Sequence, residues 1–390
     1  MTGDPIVRIA ARGDGVSATG QHRAFAIPGD VIAEDGTLVK GPGHQLPPCR
    51  HFPECGGCQL QHLTDAAYAN YCASRIVGAL AQHGLAADIR AAHLSPPRTR
   101  RRASLRALQA WGRVLIGFNA GGTHQIIDMM ECHVLDPRLF ALVAPLRKLL
   151  GTMLGPRRGA DIQLTLTDQG VDVALKGASP EGLDAVEALA RFCDRHGLAR
   201  LTIDDGYGPE PRHEPGPVTI SLSGHPVSFP SGAFLQATAD GEAALVTAVR
   251  EAVDGSERPL DLFAGLGTFA LALDGDVTAA EAARDAVLAL TATRRVASVH
   301  RDLYRRPYDF AELGAHDAVI LDPPRAGALE QVKQLAASAV PRIAYVSCNP
   351  ATFARDAQLL VAGGYALDWV KPVGQFRWST HVELASAFSR

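Results

Sequence analysis

The run Asp261-Leu262-Phe263-Ala264-Gly265-Leu266-Gly267-Thr268-Phe269 constrains this chain more than any other segment. Residues 259–263 read as a buried strand, a glycine-rich turn follows at once, and a helix is expected after it. Glycine suits such a turn because a Cβ would block close approach of the backbone to a ligand at the switch point of a sheet. Glu281 ends the next expected strand, 277–280, where a carboxylate suits the two hydroxyls of a ribose. Strands expected at 317–321 and 342–347, with a helix at 241–253, complete a βαβ rhythm. The C-terminal half is therefore expected to be α/β, with a doubly wound sheet. The loop alone does not distinguish a nicotinamide dinucleotide from another nucleoside cofactor, because Gly265-Leu266-Gly267-Thr268-Phe269-Ala270 fits the relaxed fingerprint.

Two later strand ends carry chemistry. Asp322-Pro323-Pro324-Arg325 follows one, and its prolines force a rigid, extended exit suited to a pocket rim. Ser347-Cys348-Asn349-Pro350 ends another, placing Cys348 on the same edge. Most isolated cysteines are inert core residues. Cys348 is different in ending a strand, preceding Asn-Pro and sharing an edge with Asp322. A thiolate there suits addition to carbon 6 of a uracil, which makes carbon 5 nucleophilic; a base must then remove the carbon 5 proton. Glu383, in His381-Val382-Glu383-Leu384, is the candidate base, against the alternative of a surface carboxylate.

With 390 residues, the chain exceeds one typical core. The Pro-rich stretch 209–217 is the best internal boundary. The expected units are a small β module at 1–44, a central α+β domain at 45–215 and the α/β domain at 216–390. Helices are expected at 64–83 and 139–150, and strands within 103–128 and 162–176. Hydrophobic residues at 47% and charged residues at 20% describe an ordinary packed protein, and no apolar run reaches bilayer length. The first fifteen residues carry Asp4, Arg8, Arg12 and Asp14, unlike a secretory signal, so a cytoplasmic location is expected.

A net charge of −3 argues against nucleic-acid binding by bulk charge but leaves room for a local patch. The densest basic run is Arg98, Arg100, Arg101, Arg102 and Arg106, expected to meet phosphates against the plainer reading of a solvated face. The odd total of seven cysteines fits no disulfide framework. Cys49, Cys55 and Cys58 lie close together, with Cys132 available as a fourth ligand. Three near cysteines and one distant one favour a [4Fe-4S] cluster over zinc or free thiols. Cys72 and Cys193 are expected to be structural.

Phe234-Leu235-Gln236, 261–269, 321–325, 347–350 and 381–384 follow the order and approximate spacing of the RNA uracil-5-methyltransferases. The chain resembles that family over nearly its whole length, most closely its iron–sulfur 23S ribosomal RNA branch. The resemblance implies a Rossmann-like class I methyltransferase domain using S-adenosylmethionine. It implies Cys348 as nucleophile, Glu383 as general base, and cofactor contacts from Gln236, Phe263, Thr268, Glu281, Asp302 and Asp322. It also implies cluster ligands at Cys49, Cys55, Cys58 and Cys132. The N-terminal module resembles a shortened TRAM domain, an oligonucleotide-binding-type barrel, through Gly13-Asp14-Gly15-Val16 and Pro28-Gly29-Asp30-Val31. The chain departs from the family where Ala237-Thr238 lacks a frequent Asn and where Thr268 replaces one.

The implied substrate is RNA, with 23S ribosomal RNA ahead of transfer RNA, and a monomer is expected. An iron–sulfur NAD-linked oxidoreductase would leave Asp322 and Cys348 without a role. A non-catalytic RNA-binding assembly factor would have no need of Cys348 and Glu383. A cytosine-5-methyltransferase would place its cysteine after proline, a Pro-Cys pair this chain lacks.

Overall fold

The computed structural model describes residues 3–390. Three sheets organise them, with a two-stranded hairpin, Thr219–Leu222 and His225–Ser228, between the second and the third. The first sheet is antiparallel and five-stranded, running from Asp4–Ile9 to Leu38–Val39. Its core is small, only Ile6, Ala26 and Ile32 with Leu38 against them. The buried Asp30 carboxylate ties its exit by accepting from the backbone N–H of Ile27 and Gly41 and by pairing with His44.

The second sheet has six strands in the order Pro209–His213, Arg200–Asp204, Gly170–Lys176, Gly159–Thr167, Arg102–Ala110, Arg113–Gly117. Alternation sets its buried face: Leu105 pairs with Ile162, and Ala103 with Leu164. Helices Val143–Leu150 and Leu183–His196 cover that face through Leu146, Leu189, Phe192 and Cys193. The Pro-rich stretch forms an exposed edge strand, where a missing N–H is tolerated. The single helix expected at 139–150 is two, Pro137–Ala141 and Val143–Leu150. Pro145 has no N–H to give the Ala141 carbonyl, so the ladder breaks there. The strand expected through residue 128 ends at Gly117, where a Cβ would lie 1.9 Å from the Ile127 carbonyl oxygen.

The third sheet is the α/β core. Its order is Ala297–His300, Thr278–Glu281, Pro259–Leu262, Ala318–Leu321, Arg342–Ser347, Glu383–Ser389, Ala366–Gly374. The first five strands are parallel, and Glu383–Ser389 is antiparallel to both its neighbours. The expected helix after the glycine loop is reduced to a 3-10 turn, Ala270–Ala272. Asp274-Gly275-Asp276 turns the chain so soon that no longer helix fits before Thr278–Glu281.

The structure also differs from the expected 45–215 unit. Helix Asp65–Gln82 starts on Thr64, whose hydroxyl accepts from the Ala67 N–H, and buries Tyr68, Tyr71, Cys72, Ile76 and Leu80. These residues join the core of the third sheet, alongside Phe353, Leu360 and Val370. The short strands Asp88–Ile89 and His93–Leu94 pair with Ala366–Gly374. The apolar stripe at 68, 71, 72, 76 and 80 gives the physical reason: it needs a large apolar partner, and the C-terminal sheet supplies it. No helix among the described residues is long and apolar enough to cross a membrane.

Candidate active site

The carboxyl ends of the parallel strands open into one cavity of about 960 Å³. Gln236, Phe263, Thr268, Glu281, Asp302, Asp322, Cys348 and Glu383 all line it. The sheet explains this convergence. Phe263, Asp322 and Cys348 each follow the last residue of a parallel strand, and Glu281 closes another. Glu383 begins an antiparallel strand, so its amino end lies where its neighbours' carboxyl ends lie. Ser347 pairs with Leu384, which sets Cys348 beside Glu383.

The glycine loop is shaped as its sequence requires. Gly267 has φ +89°, and a Cβ there would meet Leu290 at 2.5 Å. Gly265 is also left-handed, at φ +54°. Glu281 buttresses the turn: one oxygen accepts from the Gly265 N–H at 2.9 Å, the other from those of Ala282 and Ala283 at 2.7 Å. Asp302 accepts from the backbone N–H of Tyr304 and Arg305, and Tyr304 sets its ring 5.5 Å from that of Phe263. Deeper, the Asp261 carboxyl is wholly buried; one oxygen accepts from the Ala270 N–H and the other has no partner. Burial pushes its pKa well above the ordinary carboxylate value, and the nearby Asp322 and Glu281 charges push the same way.

Around Cys348 the electrostatics are those of a desolvated carboxyl pair. Burial pushes Asp322 up to about 7. Burial, and then the Asp322 charge, push Glu383 up to about 8, against the opposing pull of Arg102. The Cys348 thiol is raised by burial, then by Glu383 and Asp322, while the Arg325 guanidinium draws it down. Arg325 also lies 3.4 Å from the His381 ring nitrogens.

The arginine run does not form one patch. Arg100 and Arg102 line the cavity, with their guanidinium groups over the rings of Phe376 and Phe234. Arg98 is exposed, and Arg106 pairs on the surface with Asp161. Arg101 corrects the expectation of a phosphate contact: it is buried, paired with Glu242, and donates to the Gln236 carbonyl. A buried guanidinium already matched to a carboxylate has no face left for phosphate.

Cys49, Cys55, Cys58 and Cys132 surround one small, separate cavity with Phe52, Phe118, Met129 and Val134. Burial raises all four thiols, that of Cys58 to about 12. Among the described residues, no group of three or more His, Cys, Asp or Glu side chains is placed to hold a metal ion. Cys72 and Cys193 are buried in separate apolar cores.

Sequence reasoning missed Gln375, Phe376 and Phe118. Phe376 and Phe118 line the large cavity, while Gln375 lies buried behind it. No local motif marks them; they arrive through strand pairing and loop packing.

A family model described as tRNA (Uracil-5-)-methyltransferase matches residues 309–390. An RNA methyltransferase of Zymomonas mobilis, described as uncharacterized, is 49% identical, covering 99% of each chain. A 23S rRNA (uracil(1939)-C(5))-methyltransferase of Chromohalobacter salexigens is 34% identical over 89% of this chain and 76% of its own. The crystal structure of the Pyrococcus abyssi tRNA (uracil-54, C5)-methyltransferase with S-adenosyl-L-homocysteine superimposes with a TM-score of 0.76. The match covers 99% of this chain and all of that one at 21% identity, and so speaks to fold. With a sheet of this order and relatives this close over most of their length, the chain belongs to the RNA uracil-5-methyltransferase family.

Proposed function

We propose that the chain methylates carbon 5 of a uridine in RNA, with Cys348 as nucleophile and Glu383 as base. The observation that carries this reading is the placing of Cys348 beside Glu383, inside the cavity that the glycine loop also lines. S-adenosylmethionine would supply a sulfonium methyl, held by Phe263, Thr268, Glu281, Asp302, Gln236 and Asp322. Cys348 gives up its thiol proton and adds to carbon 6, and the enolate carbon 5 would take the methyl group as the S–CH3 bond breaks and S-adenosylhomocysteine leaves. Glu383 then removes the carbon 5 proton, the C5–H electrons restore the ring double bond, and the thiolate leaves. Such chemistry needs the base out of its RNA stack. Phe376, Phe118, Arg100 and Arg102 form the wall that would receive it.

The four cysteines are the ligands we propose for a [4Fe-4S] cluster; the reading is supported by their lining one small, largely apolar space. A cluster would supply a rigid cross-link between the Cys49–Cys58 loop and Cys132. Gly56 and Gly57 lie in that loop and line the large cavity. A Cβ at Gly57 would sit 3.1 Å from the Phe118 ring, and one at Gly56 2.6 Å from the Asn119 carbonyl oxygen. Holding that wall in place is the structural role we assign to the cysteines.

The ribosomal RNA activity of the Chromohalobacter relative favours ribosomal RNA as substrate, and such a substrate goes with a cytoplasmic location. The N-terminal sheet, whose strands run from Asp4–Ile9 to Leu38–Val39, and the second sheet would grip the RNA outside the cavity. The test is methyl transfer from labelled S-adenosylmethionine into unmodified ribosomal and transfer RNA, using anaerobically purified protein and nucleoside analysis. Label in 5-methyluridine of ribosomal RNA is expected. Label in transfer RNA alone would move the substrate, and label in neither would overturn the reading.

A further inference from the structure

The side chain of Gln375 follows the strand Ala366–Gly374 and is 1% exposed. Its amide is used completely. The oxygen accepts from the backbone N–H of Ala237 at 2.7 Å and of Thr238 at 3.3 Å. Two N–H donors on the oxygen fix which end is which, so the NH2 group points the other way. One of its hydrogens goes to Glu383, the other to the Gln236 side-chain oxygen at 2.7 Å. Gln236 in turn donates to Asp322 at 3.4 Å. Gly241, at the start of helix Ala239–Ala252, closes over this arrangement; a Cβ there would meet the Gln375 Cβ at 2.7 Å.

We infer that Gln375 is a positioning residue that holds Glu383 and Gln236 with one oriented amide, linking the proton-abstracting carboxyl to the cofactor side of the cavity. The inference rests on Glu383 being the base. A donated hydrogen bond stabilises the carboxylate over the acid, so Gln375 favours the form that accepts the carbon 5 proton. The other groups facing Glu383 are Asp322 and Cys348, and Arg102 opposes their charge. Removing the Gln375 donor therefore hinders the last step, loss of the carbon 5 proton and release of the thiolate. The hydrogen bond to Glu383 is not used in the earlier bond-forming steps, while the one to Gln236 bears on them only through the cofactor side of the cavity.

The experiment compares Gln375→Met, Gln375→Glu and Glu383→Gln with the unaltered full chain, using labelled S-adenosylmethionine and RNA. The readouts are turnover, a denaturation-stable RNA–protein adduct carrying the methyl label, and the pH dependence of adduct breakdown. Gln375→Glu keeps an oxygen for the Ala237 and Thr238 N–H groups and puts a second, acidic oxygen where the NH2 donor was, which pushes Glu383 in the same upward direction, so it carries the test if Gln375→Met does not fold. The expected result is a labelled adduct that accumulates while turnover falls roughly tenfold or more, with breakdown shifted to higher pH. Unaltered turnover and pH dependence in the folded variants would overturn the inference. If Glu383→Gln traps adduct while the Gln375 variants do not, only the Gln375 assignment falls. If Glu383→Gln turns over normally, the base assignment falls and this one with it.

Discussion

Asp322 and Glu383 face the same cavity as a carboxyl pair joined by two side-chain amides, Gln236 on the Asp322 side and Gln375 on the Glu383 side. Burial is the main cause of both raised pKa values, about 7 and about 8. As the base, Glu383 must be ionised to accept a proton. The rate of adduct breakdown should therefore rise with pH through neutrality, reach half its maximum near pH 8 and level off above about pH 9. Single-turnover measurements from pH 6 to 9 would show this limb, and a flat profile would remove Glu383 from that role.

The same pair makes a stability prediction of defined sign. The folded pKa values lie above the usual carboxyl values, so the folded protein holds these protons more tightly than the unfolded chain does. Their contribution is complete below about pH 4 and is lost as pH rises through 7 and 8. Between pH 6 and 8.5 the melting temperature should fall, at about 1 °C for each kcal/mol lost in a chain of this size. Glu383→Gln should flatten this slope and melt higher than the unaltered protein at pH 8.5. Calorimetry at several pH values checks it.

Cys348→Ala should abolish methyl transfer and the denaturation-stable adduct together. Binding of S-adenosylhomocysteine should change little, because the glycine loop, Glu281 and Asp302 do not depend on the thiol. Titration calorimetry with S-adenosylhomocysteine beside the transfer assay separates the two. Residual methylation in Cys348→Ala would contradict the covalent route.

The loop at 261–269, Asp322 and Cys348 were legible in the sequence because each sits at a strand end with its own local signature, and a parallel sheet gathers such ends on one edge. Glu383 was legible only as a candidate base against a surface carboxylate; its approach to Cys348 depends on an antiparallel register that local residues do not announce. Gln375 was not legible, since its partner Gln236 lies 139 residues away. The arginine run misled for a related reason. Five neighbouring charges look like one patch, yet the chain enters a strand at Arg102 and a carboxylate 141 residues distant takes Arg101 out of solvent. The helix after the glycine loop failed because intrinsic helix preference in 268–273 is overruled by the early turn at Gly275, where a Cβ would lie 2.4 Å from the Glu257 carbonyl oxygen.

Arg101 accordingly belongs to stability. Its guanidinium is paired with Glu242 in a buried site and also donates to the Gln236 carbonyl, holding the segment that carries Gln236. Burial already pushes the Glu242 pKa up, and the Arg101 charge opposes that shift. Arg101→Met leaves a buried carboxylate without its partner and should cost about 3–5 kcal/mol. The double variant Arg101→Met with Glu242→Gln removes the stranded charge and should recover part of the loss. Denaturant titration of both measures it; equal stability in Arg101→Met and the unaltered chain would show that the pair contributes nothing net.

Cys132 tests the cysteine site apart from catalysis. It alone of the four lies outside the 49–58 loop, so it closes the cavity from the second sheet's side. Cys132→Ser, purified anaerobically, should lose the broad visible absorbance of an iron–sulfur cluster and fall well below four irons per chain. Cys193→Ser, in the apolar core under helix Leu183–His196, should retain both. With Gly56 and Gly57 forming part of the large cavity's wall, loss of the cross-link should raise KM for RNA more than it lowers kcat. Iron-free protein from the unaltered chain would overturn the cluster assignment, while a variant lacking iron but with unchanged KM would separate the cluster from the cavity wall.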